Sequence, residues 1–144
     1  MTDLGDGQSS LHASAVAVFD KGVLILGSSG SGKSTLALQL MGFGGILIAD
    51  DRVDIVAING KLVACAPKAI KGRIEARGVG ILTAQTVSNA PIEICIDMDN
   101  AEQARLPDPK KISILAIELP LVLGRDNSNL AVSILQYLKA GRCA

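Results

Sequence analysis

The sequence predicts one mixed α/β domain, a P-loop nucleotide-binding core carried by a strand-rich sheet. Three observations lead there: apolar runs of strand length dominate the chain, a glycine-rich stretch joins one of them to a helix-period segment, and a second helix-period segment lies near the C-terminal end. The helices are too few for evenly repeated βαβ units, which excludes a regular Rossmann fold.

Taken in order, Met1 to Ser10 (MTDLGDGQSS) reads as a loose polar lead-in and residues 11–144 as a single domain. LHASAVAVF and KGVLIL are two strands with only a tight turn between them. KSTLALQLM places Leu36, Leu40 and Met41 at helical spacing with Leu38 beside them, and GFGG stops that helix. ILIADD is a short strand ending in two acids. VDIVAI and KLVACA flank Asn59-Gly60, a pair suited to the positive dihedrals of a two-residue hairpin turn. PKAIKGRIEARGVGIL turns at Pro67 and then mixes polar and apolar residues without either period. IEICIDM and ISILAIEL are further strands, separated by a Pro-rich charged loop. NLAVSILQYLKAG returns to helical spacing through Leu130, Ile134, Leu135 and Leu138, with Asn127, Ser128 or Asn129 as its cap.

The stretch between the second strand and the first helix carries the chemistry. Gly27-Ser28-Ser29-Gly30-Ser31-Gly32-Lys33-Ser34 satisfies G-x-x-x-x-G-K-[ST], with Thr35 directly after it. Glycines let successive backbone N–H groups converge on phosphate oxygens, and the positive end of the following helix adds to that field. Lys33 is placed to reach the terminal phosphates and the Ser34 hydroxyl to contact Mg²⁺. A solvated Gly-Ser loop would need neither of the apolar flanks present here.

Asp50 and Asp51 close the next strand, where a P-loop nucleotidase keeps its magnesium-holding acid. Adjacent residues of a strand point to opposite faces, so unless the chain bends the two acids divide the work, one turned towards Mg²⁺ and the other towards the reacting hydroxyl. His12 is the sole histidine. Glu75 sits among basic residues in GRIEARGVG, a setting that suits a surface salt bridge as well as a site. Arg77, followed by Gly-Val-Gly, is positioned to offer a guanidinium to phosphate.

Composition narrows the partners. Fourteen basic and fourteen acidic residues cancel, which argues against long-range capture of a nucleic acid, and an aromatic set of Phe19, Phe43 and Tyr137 offers no row of stacking platforms. Cys65, Cys95 and Cys143 fit neither a disulfide framework nor a metal-ligand spacing. With no export signal and no apolar run of membrane-spanning length, a cytoplasmic protein without membrane association is expected.

Three blocks, LHASAVAVFDKGVLILGSSGSGKSTLALQL, LIADDRVDI and IEARGVGIL, in that order and spacing, closely resemble the catalytic domain of bacterial HPr kinase/phosphorylase. The nucleotide core of that family is similar to that of ATP-dependent phosphoenolpyruvate carboxykinase. The resemblance covers Leu11 to Leu82 well and the remainder loosely. It implies Mg-ATP-dependent phosphorylation of a serine on an HPr-like phosphocarrier protein, phosphate-dependent dephosphorylation at the same site, and a homo-oligomer, a hexamer in the family. By motif it assigns His12, Lys33, Asp50 and Asp51 to catalysis, Gly27 to Thr35 and Arg77 to the nucleotide, and Ser34, Asp51 and Glu75 to the metal. Asp50 is the acid expected to accept the proton of the reacting serine.

The resemblance departs from the family at two places. The chain begins almost at the catalytic block, as do the short alphaproteobacterial forms without the family's N-terminal domain. TAQTVSNAP stands where the family has a mobile, glycine-rich, arginine-bearing loop. Arg125, in GRDNSNLAVSILQYL, is a further candidate contact for phosphate or a neighbouring subunit. Two other readings stand beside the kinase: a nucleotide-binding regulatory protein that has lost catalysis, and a small-molecule kinase. The last would close an arginine-bearing lid over the phosphates, for which residues 97–111 offer only Arg105.

Overall fold

A computed structural model describes residues 2–5 and 7–144, with side chains from Gly7 onward. The first elements are β1 (Thr2–Gly5) and β2 (Gln8–Leu11), an antiparallel pair where the sequence reads as a loose lead-in. Polar residues form a strand there because β2 also pairs with a later strand and turns Ser9 and Leu11 inward. Next come β3 (Ala13–Val18) and β4 (Lys21–Leu26), joined by Phe19-Asp20, both at positive φ. The glycine stretch leads from β4 into α1 (Lys33–Gly42), followed by β5 (Ile46–Ala49). The hairpin of β6 (Val53–Ile58) and β7 (Lys61–Cys65) turns at Asn59-Gly60, both at positive φ as their types suggest.

The unclassified segment forms a 3₁₀ turn (Lys68–Ile70) and a small separate hairpin of β8 (Arg73–Ala76) and β9 (Gly80–Thr83). The long strand β10 (Asn89–Asp97) follows. The stretch read as one strand, ISILAIEL, is instead two, β11 (Lys110–Ile114) and β12 (Ile117–Leu123), turning at Leu115-Ala116 with φ of 50° and 63°. Helix α2 (Leu130–Ala140) has Asn129 as its N-cap residue; its side chain makes no capping hydrogen bond among the described residues, and its own N–H donates to Asn127 Oδ1 at 2.9 Å.

The strands run in the order β1-β2-β6-β7-β10-β4-β3-β5, with β12 on β10 and β11 on β12. Strand β10 belongs to both halves: Asn89 to Pro91 pair with β7, and Ile92 to Asp97 lie parallel to β4. A one-residue irregularity at Glu93 changes the face of the strand, so Ile92 packs between the sheet halves while Ile94 and Ile96 face the helices. The result is a mixed, strand-rich, partly curled sheet.

Strand alternation then divides the core. Ala13, Ala15 and Ala17 of β3 face the other half of the sheet, while Val16 and Val18 face α1 and α2. Both faces of this half are buried, which explains why its strands read as unbroken apolar runs. The parallel strands β4, β10 and β12 end on the same side, bringing together the glycine loop, the turn from Asp97 and the loop from Gly124. Among the described residues no helix is long and apolar enough to cross a membrane.

Candidate functional site

The glycine loop is shaped by contacts that only glycine permits. Gly27 has φ of 152°, and a Cβ there would stand 2.4 Å from Ser31 Oγ. Gly32 is the N-cap residue of α1 at φ of 104°, so the loop turns directly into the helix. The first-turn N–H groups of α1 have no acceptor within the helix, and Lys33, Ser34 and Thr35 of that turn line the cavity beside the loop. That cavity, of about 260 Å³, is lined by Ser29, Gly30, Gly32, Lys33, Ser34, Thr35, Asp51, Glu75 and Arg77. Among the described residues, Ser31 Oγ is buried with no hydrogen-bond partner. Lys33 is only 6% exposed and donates from Nζ to the carbonyl of Ser28 at 2.9 Å, which holds the ammonium against the loop.

The two acids occupy different environments. Asp50 is 6% exposed and accepts three hydrogen bonds: Oδ1 accepts from Ser14 Oγ and from Ser34 Oγ, each at 2.7 Å, and Oδ2 accepts from the backbone N–H of Glu75 at 3.0 Å. Three elements meet on this carboxylate because β3 pairs with β5, α1 starts beside them, and β8 crosses in front. Asp51 takes φ of 71°, so the chain bends between the two acids, the condition under which they escape opposite faces of a strand. Its side chain is 77% exposed and pairs with His12 Nε2 at 2.8 Å. His12, immediately after β2, is half exposed; it does not itself line the cavity and is linked to it through Asp51.

Glu75 and Arg77 are both exposed and line the same cavity from β8 and the turn after it. Of the residues singled out from sequence, Gly27, Ser28 and Ser31 shape the loop from behind, whereas Ser29, Gly30, Gly32 to Thr35, Asp51, Glu75 and Arg77 face the cavity. Arg125 is turned away from it, its Nη1 donating to the carbonyl of Asp99 at 3.3 Å.

Two polar residues escaped the sequence reading. Ser14 is fully buried and donates to Asp50; the signal was a lone hydroxyl in a run of Ala and Val. Asp99 accepts from the Ser28 N–H with both oxygens, each at 3.0 Å, and from the Ser28 hydroxyl at 2.7 Å. Nothing local marked Asp99, because its partner lies 71 residues away in sequence.

The donor set suits a hard cation. Among the described residues no three of His, Cys, Asp and Glu gather into a metal-binding group. Magnesium asks for less: one or two oxygen ligands from protein, with waters and substrate phosphates completing the shell. Ser34, Asp51 and Glu75 present such oxygens around the cavity, with Asp50 behind Ser34.

Comparison with known proteins gives concordant results. The model of the HPr Serine kinase C-terminal domain matches residues 6–139. The chain is 47% identical over 75 residues to the HPr kinase/phosphorylase of Clostridium tetani, covering 52% of this chain and 25% of that protein. It is 37% identical over 139 residues to the HPr kinase/phosphorylase of Caldicellulosiruptor bescii, covering 85% of this chain and 44% of the relative. The chain therefore spans less than half the length of these relatives. The solved structure of the Hpr(Ser) kinase/phosphatase from Coxiella burnetii superposes with a TM-score of 0.78 at 27% identity, covering 91% of this chain and 94% of that one.

Proposed function

This chain belongs to the family of the HPr Serine kinase C-terminal domain, and from that premise we propose that it is a P-loop protein kinase. Its reaction transfers the γ-phosphoryl group of ATP to a serine hydroxyl of an HPr-like phosphocarrier in the cytoplasm. The observation that carries this reading is the pairing of exposed Asp51 with His12, where Asp51 lines the same cavity as Lys33 and the first turn of α1.

The geometry supports a division of the acids opposite to the one expected from sequence. Asp50, already accepting three hydrogen bonds, is suited to holding Ser34 and the β8 backbone in place. Asp51 is open to an incoming protein and is suited to taking the serine proton as the oxygen attacks phosphorus, with ADP leaving. His12 orients that carboxylate and steadies the proton it gains. Lys33 and the α1 N–H groups stabilise charge on the transferring oxygens, and Arg77 offers a guanidinium from the facing hairpin. Magnesium, if held by Ser34 and Glu75, would supply charge neutralisation for the polyphosphate, which leaves Asp51 free for the proton. In reverse, Asp51 is suited to deprotonating inorganic phosphate for attack on phosphoserine, pyrophosphate forming as the P–O bond to serine breaks and the serine oxygen takes that proton back.

The test is incubation with HPr-like phosphocarriers and Mg-ATP, followed by intact-mass measurement and a chase with inorganic phosphate. One phosphoryl group is expected on a single serine, lost with Lys33→Ala and with Asp51→Asn. Measurable ATP binding without transfer to any such protein would instead favour a nucleotide-binding regulator.

A further inference from the structure

The turn after β10 reaches across to the glycine loop from outside the cavity. Asp97 shapes it, its carboxylate accepting the Asp99 N–H and the Asn100 Nδ2–H, each at 2.8 Å. The turn is fastened to both flanking strands: the Met98 N–H donates to the Leu26 carbonyl and the Gly124 N–H to the Asp97 carbonyl, each at 2.8 Å. Arg125 braces it further, donating from its backbone to Asn100 at 3.1 Å and from its guanidinium to the Asp99 carbonyl. So held, the Asp99 carboxylate grips Ser28 through both its N–H and its hydroxyl. On the other side of that residue, the Ser28 carbonyl is the rest for Lys33 Nζ.

We propose that Asp99 is a positioning residue for Lys33, clasping Ser28 so that the glycine loop is already shaped for a polyphosphate before one arrives. The inference rests on reading Gly27 to Thr35 as the phosphate site. A loop with Gly27, Gly30 and Gly32 in six residues has much conformational freedom to lose on binding, and a fixed Ser28 removes part of that cost beforehand. Asp99 does this without placing its charge among the phosphates, since neither it nor Ser28 lines the cavity. The Ser28 N–H and hydroxyl hold its carboxyl below the ordinary value, with Lys33 and Arg125 adding attraction. The acid is therefore charged at neutral pH, when the clasp is needed.

The experiment compares wild type with Asp99→Ala and Asp99→Asn, using calorimetric titration with ATP and with inorganic tripolyphosphate, and amide hydrogen exchange of Ser28 in the nucleotide-free protein. Asp99→Ala is expected to weaken both ligands by about tenfold, to raise KM for ATP but not for the phosphocarrier, and to speed Ser28 exchange. Asp99→Asn keeps a carbonyl acceptor and is expected to recover most of the loss. A folded Asp99→Ala that binds tripolyphosphate as wild type does, or an Asp99→Asn no better than Asp99→Ala, would overturn the proposal, as would weakened ATP binding with unchanged tripolyphosphate binding. If wild type protected Ser28 relative to Asp99→Ala yet bound no tripolyphosphate, the clasp would stand and the phosphate-site reading would fall.

Discussion

Substituting each acid in turn by its amide separates architecture from chemistry. In Asp50→Asn the remaining carbonyl can still accept both hydroxyls, from Ser14 and Ser34, that now converge on Oδ1. The new NH₂ then occupies the Oδ2 position, facing the Glu75 N–H that donates there at 3.0 Å, so donor meets donor. One charge-assisted bond is lost and one shielded N–H is left unmet, for about 2–3 kcal/mol. At this chain length that corresponds to a fall in Tm of roughly 5–10 °C. Asp51→Asn touches only an exposed pair with His12 and should change stability by less than about 0.5 kcal/mol. If Asp51 takes the proton, its amide should still cut phosphoryl transfer by about 100-fold or more. Thermal melts followed by circular dichroism and intact-mass transfer assays on the same samples read both effects. An Asp51→Asn that melts as early as Asp50→Asn, or an Asp50→Asn that melts with wild type, would refute the division of roles.

Other outcomes follow from the packing and the titratable groups. Gly22→Ala is expected to cost about 2–3 kcal/mol in urea unfolding, because the added Cβ would lie 2.7 Å from the Pro91 carbonyl oxygen of the paired strand, and backbone there cannot step aside; an unchanged midpoint would show that β4 and β10 can separate. Burial pushes the Cys95 thiol up to about 12, and burial followed by the Asp54 charge raises that of Cys65. A thiol reagent at pH 8 should accordingly modify exposed Cys143 first, Cys65 slowly and Cys95 only on unfolding, and early labelling of Cys95 in peptide maps would contradict the core placement. Asp99, held low by Ser28, and Glu102, held low first by its hydrogen bond from Lys110, are less protonated when folded than when unfolded. Their stabilisation is present above the ordinary carboxylate range and is lost as pH falls through their lowered values, so the acid-side fall in Tm should be shallower in a D99N/E102Q variant, and an unchanged slope would rule this out.

Much of the fold was legible where one cause acts locally. Asn59-Gly60 marks its hairpin because those types tolerate positive φ, and the helix periods of α1 and α2 survive in sequence because each buries a single stripe. The turn between β3 and β4 was expected and falls on Phe19-Asp20, whereas Leu115-Ala116 turns at positive φ with no glycine at either position, so nothing local announced it. Strand pairing on both sides of each turn sets that backbone, overriding residue preference. The polar start of the chain likewise became strand because β6 offered an edge to β2.

The site divides in the same way. Gly27 to Thr35 is contiguous, and its glycines, Lys33 and the hydroxyl of Ser34 could be read from spacing alone, since a strand, a glycine loop and a helix N-terminus create an anion-facing surface without help from elsewhere. The DD pair could not be resolved that way: two identical side chains differ only in what surrounds them. The register of β3 on β5, the start of α1 and the crossing of β8 bury Asp50 under three donors, while a left-handed turn at Asp51 sends its carboxylate outward to His12. Asp99 reaches Ser28 only because the parallel strands β4 and β10 end side by side. Sequence thus determined which groups stand together in the glycine loop before α1; tertiary structure decided which acid is enclosed and which is exposed, because burial and hydrogen-bond partners come from chain segments far apart in sequence.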